Sequence, residues 1–493
     1  MELCYFFSLI FSLFIGTSSQ YNLDEQKQLF NKELVKENSL LATDYILKIF
    51  KNSGRLNLQL FVKNLYLVQE RIHLIIKNKS IYQDEYIILS SIYGAFLGDA
   101  MGSATEFRMK NKDNHEDIFS KDGVFLPGQI TDDSEMAMSL AFAIIDNYNY
   151  KTLNPNLIYY YYCIWYASKP LDIGITITNA LSLLNVKKVG PDYQNIFSDN
   201  IKSTIATKNL ASLSNGFLMR ASPLLTWFYM VNKNYIKEIL ETKSSEKYLE
   251  LYAKIYEAIS IDITITHPNP ELPISGSLMI FIGLCAMQQK YSGQEIIKMT
   301  QILLNNNYFM NSTNNPLLYK IKTHFENLVN AISKPNFLKD IFFGNLYEHM
   351  GYYMHAFNLT IYYLSIFDEQ RKTMSLTEIY NNMMCDISDF GGDTDTNGAI
   401  VGMIMGPLIG MENFDRKYFD IFLYFCPRER IPYTSAFMYF YALYLKQIEN
   451  GSKVINDNDK NKVNFNVIRL LLDLLNTEMS WIKEGKIEDF FTK

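Results

Sequence analysis

The sequence predicts an all-α fold built as a helical bundle, and three observations support this prediction. Apolar residues recur at helical spacing from about residue 20 to residue 445, whereas the strict alternation that is typical of strands is rare. Long apolar stretches at 277–287 and 434–445 are typical of buried helices. Glycine recurs at every fourth residue in two segments, which is the spacing of one helix face.

The composition is that of a globular protein with a large apolar core. The chain has 493 residues, of which 48% are hydrophobic and 20% are charged. Its formal net charge of -6 gives no basic surface that would attract a phosphate backbone, so we do not expect nucleic acid as a partner. A rule of about 150 residues per domain would give three domains, but the spacing of the motifs favours one large domain with appendages.

Residues 1–19 have the outline of a secretory signal peptide. An apolar run at 4–15 precedes small polar residues, and we expect cleavage after Ser19. The run is too short to span a bilayer, so no stable membrane span is predicted. No lysine or arginine precedes the run, which leaves a retained N-terminal helix as the alternative. We therefore predict the secretory pathway or the extracellular space, with the cytoplasm as the alternative location.

The rest of the chain divides into three parts by composition. Residues 20–83 predict a helical N-terminal extension, residues 84–445 the main domain, and residues 446–493 a polar linker followed by a C-terminal helix. The cysteines beyond residue 19 form no CxxC pair, and no histidine lies near them at zinc-finger spacing. They are predicted to be buried free thiols: Cys163, Cys285, Cys385 and Cys426.

The glycine-rich helix faces predict close packing between backbones. Each glycine costs up to about 1 kcal/mol against alanine inside a helix, so a close helix contact is the expected compensation. Neither segment offers about 20 continuous apolar residues, which argues against a transmembrane dimer motif. Pro407 should kink or end the second of these helices. The glycines are Gly94, Gly98 and Gly102 in the first segment and Gly398, Gly402, Gly406 and Gly410 in the second.

Clusters of acidic residues stand beside these glycine segments. Asp132 and Asp133 precede an apolar run at 136–145, and taken alone this cluster is typical of a helix N-cap. Asp393 and Asp395 follow a Gly-Gly turn, and one cap needs only one carboxylate. Carboxylate and hydroxyl oxygens are the ligands that Mg²⁺ prefers. Four carboxylates in one dry site would need cations to neutralise them, so the pattern predicts a binuclear metal site.

Together these motifs resemble the ADP-ribosylglycohydrolase family in order and approximate spacing. The segment WYASKPLDIGIT at 165–176 looks particularly similar to the branch that includes dinitrogenase reductase-activating glycohydrolase, which acts on ADP-ribosyl-arginine. The resemblance implies a compact orthogonal helical bundle with residues 84–445 as its catalytic domain. The motifs in chain order are GDAMGSATEF at 98–107, TDDS at 131–134, SNGFLMR at 214–220, TH at 266–267 and GGDTDT at 391–396.

The resemblance also implies a role for individual residues. Two Mg²⁺ ions are expected, with Mn²⁺ as the alternative. Glu106 matches a mobile acidic residue beside the metals, and either Asp133 or Asp395 is expected to activate the attacking water. Asn215 and Gly216 correspond to a loop that touches the phosphates and the proximal ribose, and His267 corresponds to a diphosphate contact. The implied metal ligands are Thr131, Asp132, Asp133, Asp393, Asp395 and Thr396.

Three further residues carry expectations of their own. We expect Asp99 to be structural and Arg220 to be an ion-pair partner. Phe217 replaces a residue that is usually small in the family, and this replacement predicts a change in the loop that touches the phosphates.

The function implied by the resemblance is hydrolysis of the N-glycosidic bond of mono-ADP-ribosylated side chains, with arginine favoured by the segment at 165–176. The alternatives are hydrolysis of serine-linked ADP-ribose or of O-acetyl-ADP-ribose, and a catalytically silent relative that keeps the fold for binding or structure. The expected partner is an ADP-ribosylated protein or a small ADP-ribose conjugate, acted on by a monomer.

Overall fold

A computed structural model describes most of the main domain and confirms the all-α prediction. Among the residues described, regular structure is helical, and the single β-bridge joins Ser214 to Tyr352. The predicted signal peptide, most of the N-terminal extension, and the linker and C-terminal helix lie outside the described residues. The described residues are 72–107, 128–147, 149–167, 169–186, 195–310, 315–343, 346–419, 438, 441–442 and 444–446.

Sixteen labelled helices follow one another along the described part of the chain. A helical stretch at 72–77 precedes the first labelled helix, and a 3₁₀ turn, Met411–Asn413, follows the last. The labelled helices are α1 Gln83–Gly102, α2 Asp132–Asp146, α3 Pro155–Ala167, α4 Ile175–Leu181, α5 Asp199–Asn209, α6 Ser222–Val231, α7 Lys233–Thr242, α8 Ser245–Thr266, α9 Glu271–Met287, α10 Gly293–Leu304, α11 Asn307–Met310, α12 Pro316–Ile332, α13 Lys339–Phe342, α14 Tyr353–Gln370, α15 Leu376–Phe390 and α16 Thr394–Ile409.

Helices α1 and α16 form the centre of the bundle. Every residue of α1 after Gln83 is buried, as is every residue of α16 except Leu408. A helix that is buried on all sides needs apolar or very small residues on all sides, and both sequences satisfy this condition. The long apolar helix α9, predicted from the stretch at 277–287, also packs against α16 in the core.

The predicted close packing of the glycine faces is confirmed, and it occurs between α1 and α16. A Cβ atom placed on Gly98 would lie 2.2 Å from the carbonyl oxygen of Gly398, and one on Gly402 would lie 2.1 Å from that of Gly94. No side chain fits at such distances, so the two backbones are in direct contact. The same contact extends to Gly102, where an added Cβ would lie 2.5 Å from the Cα atom of Asp395. The glycines therefore bring the acidic start of α16 against the end of α1.

The end of α16 agrees with the expectation for Pro407. The helix continues through Pro407 for two residues and ends at Ile409, before Gly410 with φ of +81°. Proline lacks the amide donor that a continuing helix would need, and glycine accepts the left-handed backbone that turns the chain.

Two other expectations can be compared with the described residues. Cys163 and Cys285 are buried free thiols and Cys385 is a half-buried one, while Cys426 lies outside the described residues. None of the described helices is both long enough and apolar enough to cross a bilayer.

Candidate active site

Carboxylates from α1, α2, α16 and the connection before α4 converge at the end of the glycine contact. Asp395 belongs to two groups of three acidic side chains, which we call the inner and outer triads. In the inner triad, carboxylate oxygens of Asp99, Asp133 and Asp395 lie within 4.8 Å of one another. In the outer triad, those of Glu106, Asp172 and Asp395 lie within the same distance. Asp395 is thus shared between two adjacent positions, each of which is surrounded by carboxylates.

The simple interpretation of the first acidic cluster, Asp132 and Asp133, as a helix cap is wrong. Thr131 and Asp393 occupy the N-cap positions of α2 and α16, and neither side chain makes a capping hydrogen bond. The amide groups of Thr131 and Ser134 at the start of α2 instead donate to Asp99 of α1, at 3.0 and 3.2 Å. Since another helix provides the cap, Asp132 and Asp133 are not required for it.

Asp99 therefore has the structural role expected from the sequence and also a place in the inner triad that its sequence position does not predict. Its side chain is fully buried, and burial raises the pKa of its carboxyl group to about 7, although hydrogen bonds from Ser134 and Thr131 oppose this effect. A group that holds a helix start while facing two other carboxylates needs a proton or a cation close by.

Asp133 also needs a proton or a cation close to its carboxyl group. Burial, and then the charges of Asp99 and Asp132, raise its pKa well above the usual value. Its Oδ2 accepts from the Thr131 hydroxyl at 2.9 Å, and that hydroxyl also lies 2.9 Å from Asp99 Oδ1. One hydroxyl proton cannot serve both acceptors at full strength. The second oxygen of Asp133, Oδ1, is buried without a hydrogen-bond partner.

Asp132 and Asp393 flank the triads. Burial, and then the charges of Asp172 and Asp393, raise the pKa of Asp132 well above its usual value. Asp393 is half-buried, and its Oδ2 accepts a 2.7 Å hydrogen bond from Nδ2 of Asn215. The structure therefore brings all four predicted aspartates into one electrostatic cluster, although they come from segments about 260 residues apart.

The outer triad contains one residue that the predicted set lacked, Asp172. Asp172 and Glu106 are both half-buried, and their carboxylate oxygens lie within 4.8 Å of each other and of one of Asp395. Burial, and then the charges of Asp172 and Asp393, raise the pKa of Glu106 to about 10. Glu106 Oε2 is buried without a hydrogen-bond partner. The available signal for Asp172 was its position in a nonhelical motif between Pro170 and Gly174.

The two predicted threonine ligands lie beside the triads. Thr131 contacts Asp99 and Asp133 through its hydroxyl, and Thr396 is buried next to Asp395, whose Oδ1 accepts from the Thr396 amide at 2.8 Å. The neighbouring Thr394 donates instead to the Gly102 carbonyl at 2.7 Å and so fastens α16 to α1. Both predicted threonines are therefore next to the carboxylates.

The predicted substrate loop borders the acidic cluster. The amide of Asn215 donates to the Gly351 carbonyl at 2.8 Å, while its side chain holds Asp393. A Cβ on Gly216 would lie 3.4 Å from Cε1 of His267, so the loop backbone lies directly on the imidazole. Phe217 does not alter the outer side of this loop, because its ring is buried against His267 and against Gly276.

His267 lies deeper than a ligand contact requires. Its side chain has 0% exposure, and its two ring nitrogens are bonded within the protein, Nδ1 to the hydroxyl of Thr266 and Nε2 to that of Ser214. The expected direct contact with a diphosphate is thus not open in this structure, because Ser214 stands between the imidazole and the solvent. Arg220 is paired with Asp262, as expected.

A comparison with known families supplies the identification. The family model described as ADP-ribosylglycohydrolase matches residues 82–431, which is most of the chain. The chain belongs to the ADP-ribosylglycohydrolase family. A protein of Acanthamoeba polyphaga mimivirus, whose name proposes it as an ADP-ribosyl glycohydrolase, is 28% identical over 331 residues, which cover 65% of this chain and 86% of the relative.

A solved structure described as an ADP-ribosylglycohydrolase-related protein complex also aligns with this chain. Its TM-score is 0.47 at 15% identity, and the alignment covers 74% of this chain and 99% of that one.

The two triads fit hard divalent cations. Their donors are oxygens only, which suits Mg²⁺ or Mn²⁺ and not the softer metals that prefer thiolates. Asp133 Oδ1 and Glu106 Oε2 are buried atoms without a protein partner, and an oxygen-seeking cation would satisfy both. The raised pKa values of Asp132, Asp133 and Asp395 have burial as their largest cause, so a cation would relieve the cost of ionising them.

Proposed function

We propose that the protein hydrolyses the N-glycosidic bond between ADP-ribose and an arginine side chain, in a reaction that depends on two Mg²⁺ ions. Family membership supports an ADP-ribosyl hydrolase. The observation that carries the finer proposal is the pair of carboxylate triads joined at Asp395. Two adjacent positions rich in oxygen ligands are the arrangement that a binuclear site needs.

The proposed metal ligands are the six residues predicted from the sequence, and three further acidic residues lie beside them. Bound Mg²⁺ would supply positive charge that orients the distal ribose and draws electrons from its anomeric carbon. Mn²⁺ has the same preference for oxygen ligands and is the alternative ion. The residues proposed to hold the ions are Thr131, Asp132, Asp133, Asp393, Asp395 and Thr396, with Asp99, Glu106 and Asp172 completing the cluster.

A carboxylate of the protein would accept the proton of the attacking water. Asp133 and Asp395 are the candidate acceptors, because both carboxylates lie in the inner triad. Water adds to C1″ of the ribose and gives its proton to this base. The C1″–N bond breaks, and its electron pair goes to the guanidine nitrogen. An ADP-ribosylated guanidinium already carries a proton, so the guanidine leaves as a neutral group without a separate strong acid.

The outer triad favours arginine over serine as the leaving side chain. Glu106 and Asp172 are half-buried at the edge of the cluster, whereas Asp99, Asp133 and Asp395 are buried. Carboxylates at this edge complement the charge of a guanidinium, whereas a serine-linked conjugate has an uncharged leaving group. The segment at 165–176, which contains Asp172, is also the one that resembles the arginine-specific branch.

The remaining alternatives are separated by one experiment. Purified full-length protein is incubated with arginine-linked ADP-ribosyl protein, serine-linked ADP-ribosyl peptide or O-acetyl-ADP-ribose, with Mg²⁺ or with EDTA, and free ADP-ribose is measured. Release from the arginine conjugate only with Mg²⁺ is expected. Faster release from either other substrate would overturn the arginine assignment. Binding of ADP-ribose without any release would identify a silent relative.

A further inference from the structure

A chain of hydrogen bonds connects a buried arginine to the substrate loop. Nη2 of Arg220 donates to the hydroxyl of Thr266 at 2.9 Å. The same hydroxyl lies 2.7 Å from Nδ1 of His267, and Nε2 of His267 lies 2.8 Å from the hydroxyl of Ser214. Arg220, Thr266 and His267 have 0% exposure, whereas Ser214 is half-buried at the edge of the acidic site. The chain therefore runs from the core to the surface of the loop.

The direction of every bond in this chain follows from its first member. A guanidinium group can only donate hydrogen bonds, so the Thr266 oxygen must accept from Arg220. A second acceptor role toward Nδ1–H would leave the Thr266 hydroxyl proton without an acceptor, because Nδ1 of His267 is the only other side-chain hydrogen-bond partner of this hydroxyl among the described residues; the hydroxyl therefore donates to Nδ1. If Nδ1 carries no proton, the proton of a neutral imidazole is on Nε2, which donates to the oxygen of Ser214.

The surroundings hold the Arg220 guanidinium in place beside Thr266. Its Nε faces Asp262 Oδ2 at 3.3 Å, and its Nη2 also donates to the Asp262 carbonyl at 3.2 Å. The Tyr162 ring lies 4.5 Å from the guanidinium carbon, and the Tyr162 hydroxyl donates to Asp262 Oδ1 at 2.6 Å. Burial, and then the charge of Arg220, lower the pKa of His267 well below its usual value, so the imidazole is neutral.

We infer that Arg220 is a positioning residue for the substrate loop. It acts through Thr266 to hold His267 as its Nε2–H tautomer. The hydroxyl proton of Ser214 is thereby free to be donated to a bound anion. Ser214 precedes Asn215, whose side chain donates to Asp393, so the loop that carries this hydroxyl borders the acidic cluster. The identification of this anion as a phosphoryl oxygen of ADP-ribose rests on the proposed function. The assignment of the His267 tautomer is independent of that function.

The hydroxyl of Ser214 has only weak partners on its outer side. Its contacts with the hydroxyls of Thr176 and Ser212 are both 3.4 Å, whereas Thr176 and Ser212 lie 2.8 Å from each other. A proton held across 3.4 Å passes readily to a better acceptor, and an anionic oxygen is a much stronger one. With the opposite tautomer, Ser214 would have to donate to Nε2, and its oxygen would repel an anion.

The tautomer is measured by ¹⁵N NMR of the full-length protein labelled at its histidine rings, with the His267→Gln variant to assign the signal. We expect the Nε2 of His267 to be protonated and Nδ1 to be unprotonated, with no change between about pH 6 and pH 8, because the buried ring stays neutral. A wild-type spectrum with the proton on Nδ1, or with a mixture of tautomers, overturns the inference without any variant.

Substitution of Thr266 tests how the hydrogen-bond chain from Arg220 to Ser214, which we call the relay, affects ligand binding. Thr266→Val removes the hydroxyl at nearly constant volume and should shift His267 toward a tautomer mixture and weaken ADP-ribose binding by about two- to tenfold, the usual range for one hydrogen bond. Thr266→Ser restores the hydroxyl and should restore both readouts. The matched control is Thr300→Val, because Thr300 is equally buried but its hydroxyl bonds only to Ile296 of its own helix.

Two outcomes separate the inference from the proposed function. If ADP-ribose fails to bind the wild-type protein while the Nε2–H tautomer is present and depends on Thr266, the proposed ligand is wrong and the relay stands. If ADP-ribose binds but Thr266→Val leaves both the tautomer and the affinity unchanged, the relay is wrong and the proposed function stands. Should Thr266→Val fail to fold, the wild-type tautomer and the Thr266→Ser variant decide the question.

Discussion

At the scale of single residues, Asp395 is the carboxylate on which the proposed chemistry depends most. It contributes to both triads, so Asp395→Asn should lower hydrolysis by about 10³-fold or more, in the range seen when a catalytic carboxylate is removed. The fold should persist, because the amide has nearly the same volume and removes one buried charge. Release of ADP-ribose and the thermal midpoint in EDTA are the measurements. Exposed Asp199→Asn is the control, and near-normal turnover in Asp395→Asn would contradict the binuclear mechanism.

Asp172 offers a sharper test of the leaving group. Asp172→Asn removes a carboxylate from the outer triad, so KM should rise more for an arginine-linked substrate than for a serine-linked one, by about tenfold, as expected for one charged hydrogen bond. The two conjugates are compared under identical Mg²⁺ concentrations. An equal loss for both would mean that Asp172 serves the metal cluster and not the guanidinium.

Residue types and motifs predicted most of the acidic cluster but not its internal order. The sequence predicts a structural Asp99, because a single aspartate inside a packed helix has no local signal of a ligand. His267 was expected at the ligand because its motif resembles a family contact. Burial and the partners of both ring nitrogens depend on the packing of α8 against the loop at 214–217, which the sequence does not reveal.

At the scale of helices, the glycine contact between α1 and α16 makes a quantitative prediction. Gly98→Ala places a methyl group 2.2 Å from the Gly398 carbonyl oxygen, so the helices must move apart. Overpacking of this kind costs about 1–3 kcal/mol, and the thermal midpoint should fall by several degrees. Gly174→Ala is the matched control, because nothing lies within 4 Å of its added Cβ. Equal midpoints for the two variants would show that the helices tolerate separation.

The same pair shows what helical spacing can and cannot predict. A four-residue glycine period predicts that some backbone packs closely, because glycine otherwise destabilises a helix. It does not predict which helix is the partner. The pairing of α1 with α16 joins residues 292 positions apart, as in the bond from Thr394 to Gly102, and no local pattern contains that information.

At the scale of the whole molecule, the buried carboxylates predict a metal-dependent response of stability to pH. The folded pKa values of Asp99 and Glu106, about 7 and about 10, lie above their usual values near 4. The folded protein therefore binds more protons than the unfolded chain. This contribution to stability is full below about pH 4 and is lost as the pH rises through the folded values.

In EDTA, the thermal midpoint should thus be lower at about pH 8 than at about pH 5. Mg²⁺ should raise it more at the higher pH, because fewer protons then compete for the carboxylates. Differential scanning fluorimetry with and without Mg²⁺ measures both effects. The Asp395→Asn variant should lose most of the Mg²⁺ response, and an undiminished response would place the ion elsewhere.

The cellular compartment stays a prediction from the sequence. If residues 1–19 are a signal peptide, the native chain begins near residue 20, and N-terminal sequencing of protein from its own cells reads this directly. A retained Met1 would indicate the cytoplasm.

The pairing of α1 with α16 also bears on how the enzyme is made. Asp99 and Glu106 emerge from the ribosome some 290 residues before Asp395, the residue that joins both triads. Contacts so distant along the chain form late and slowly, because a long loop must close first. The nascent chain therefore has no complete triad until α16 has been synthesised. If the proposed function holds, any product that terminates before α16 should be unable to release ADP-ribose from its conjugates, so activity requires that translation has passed α16.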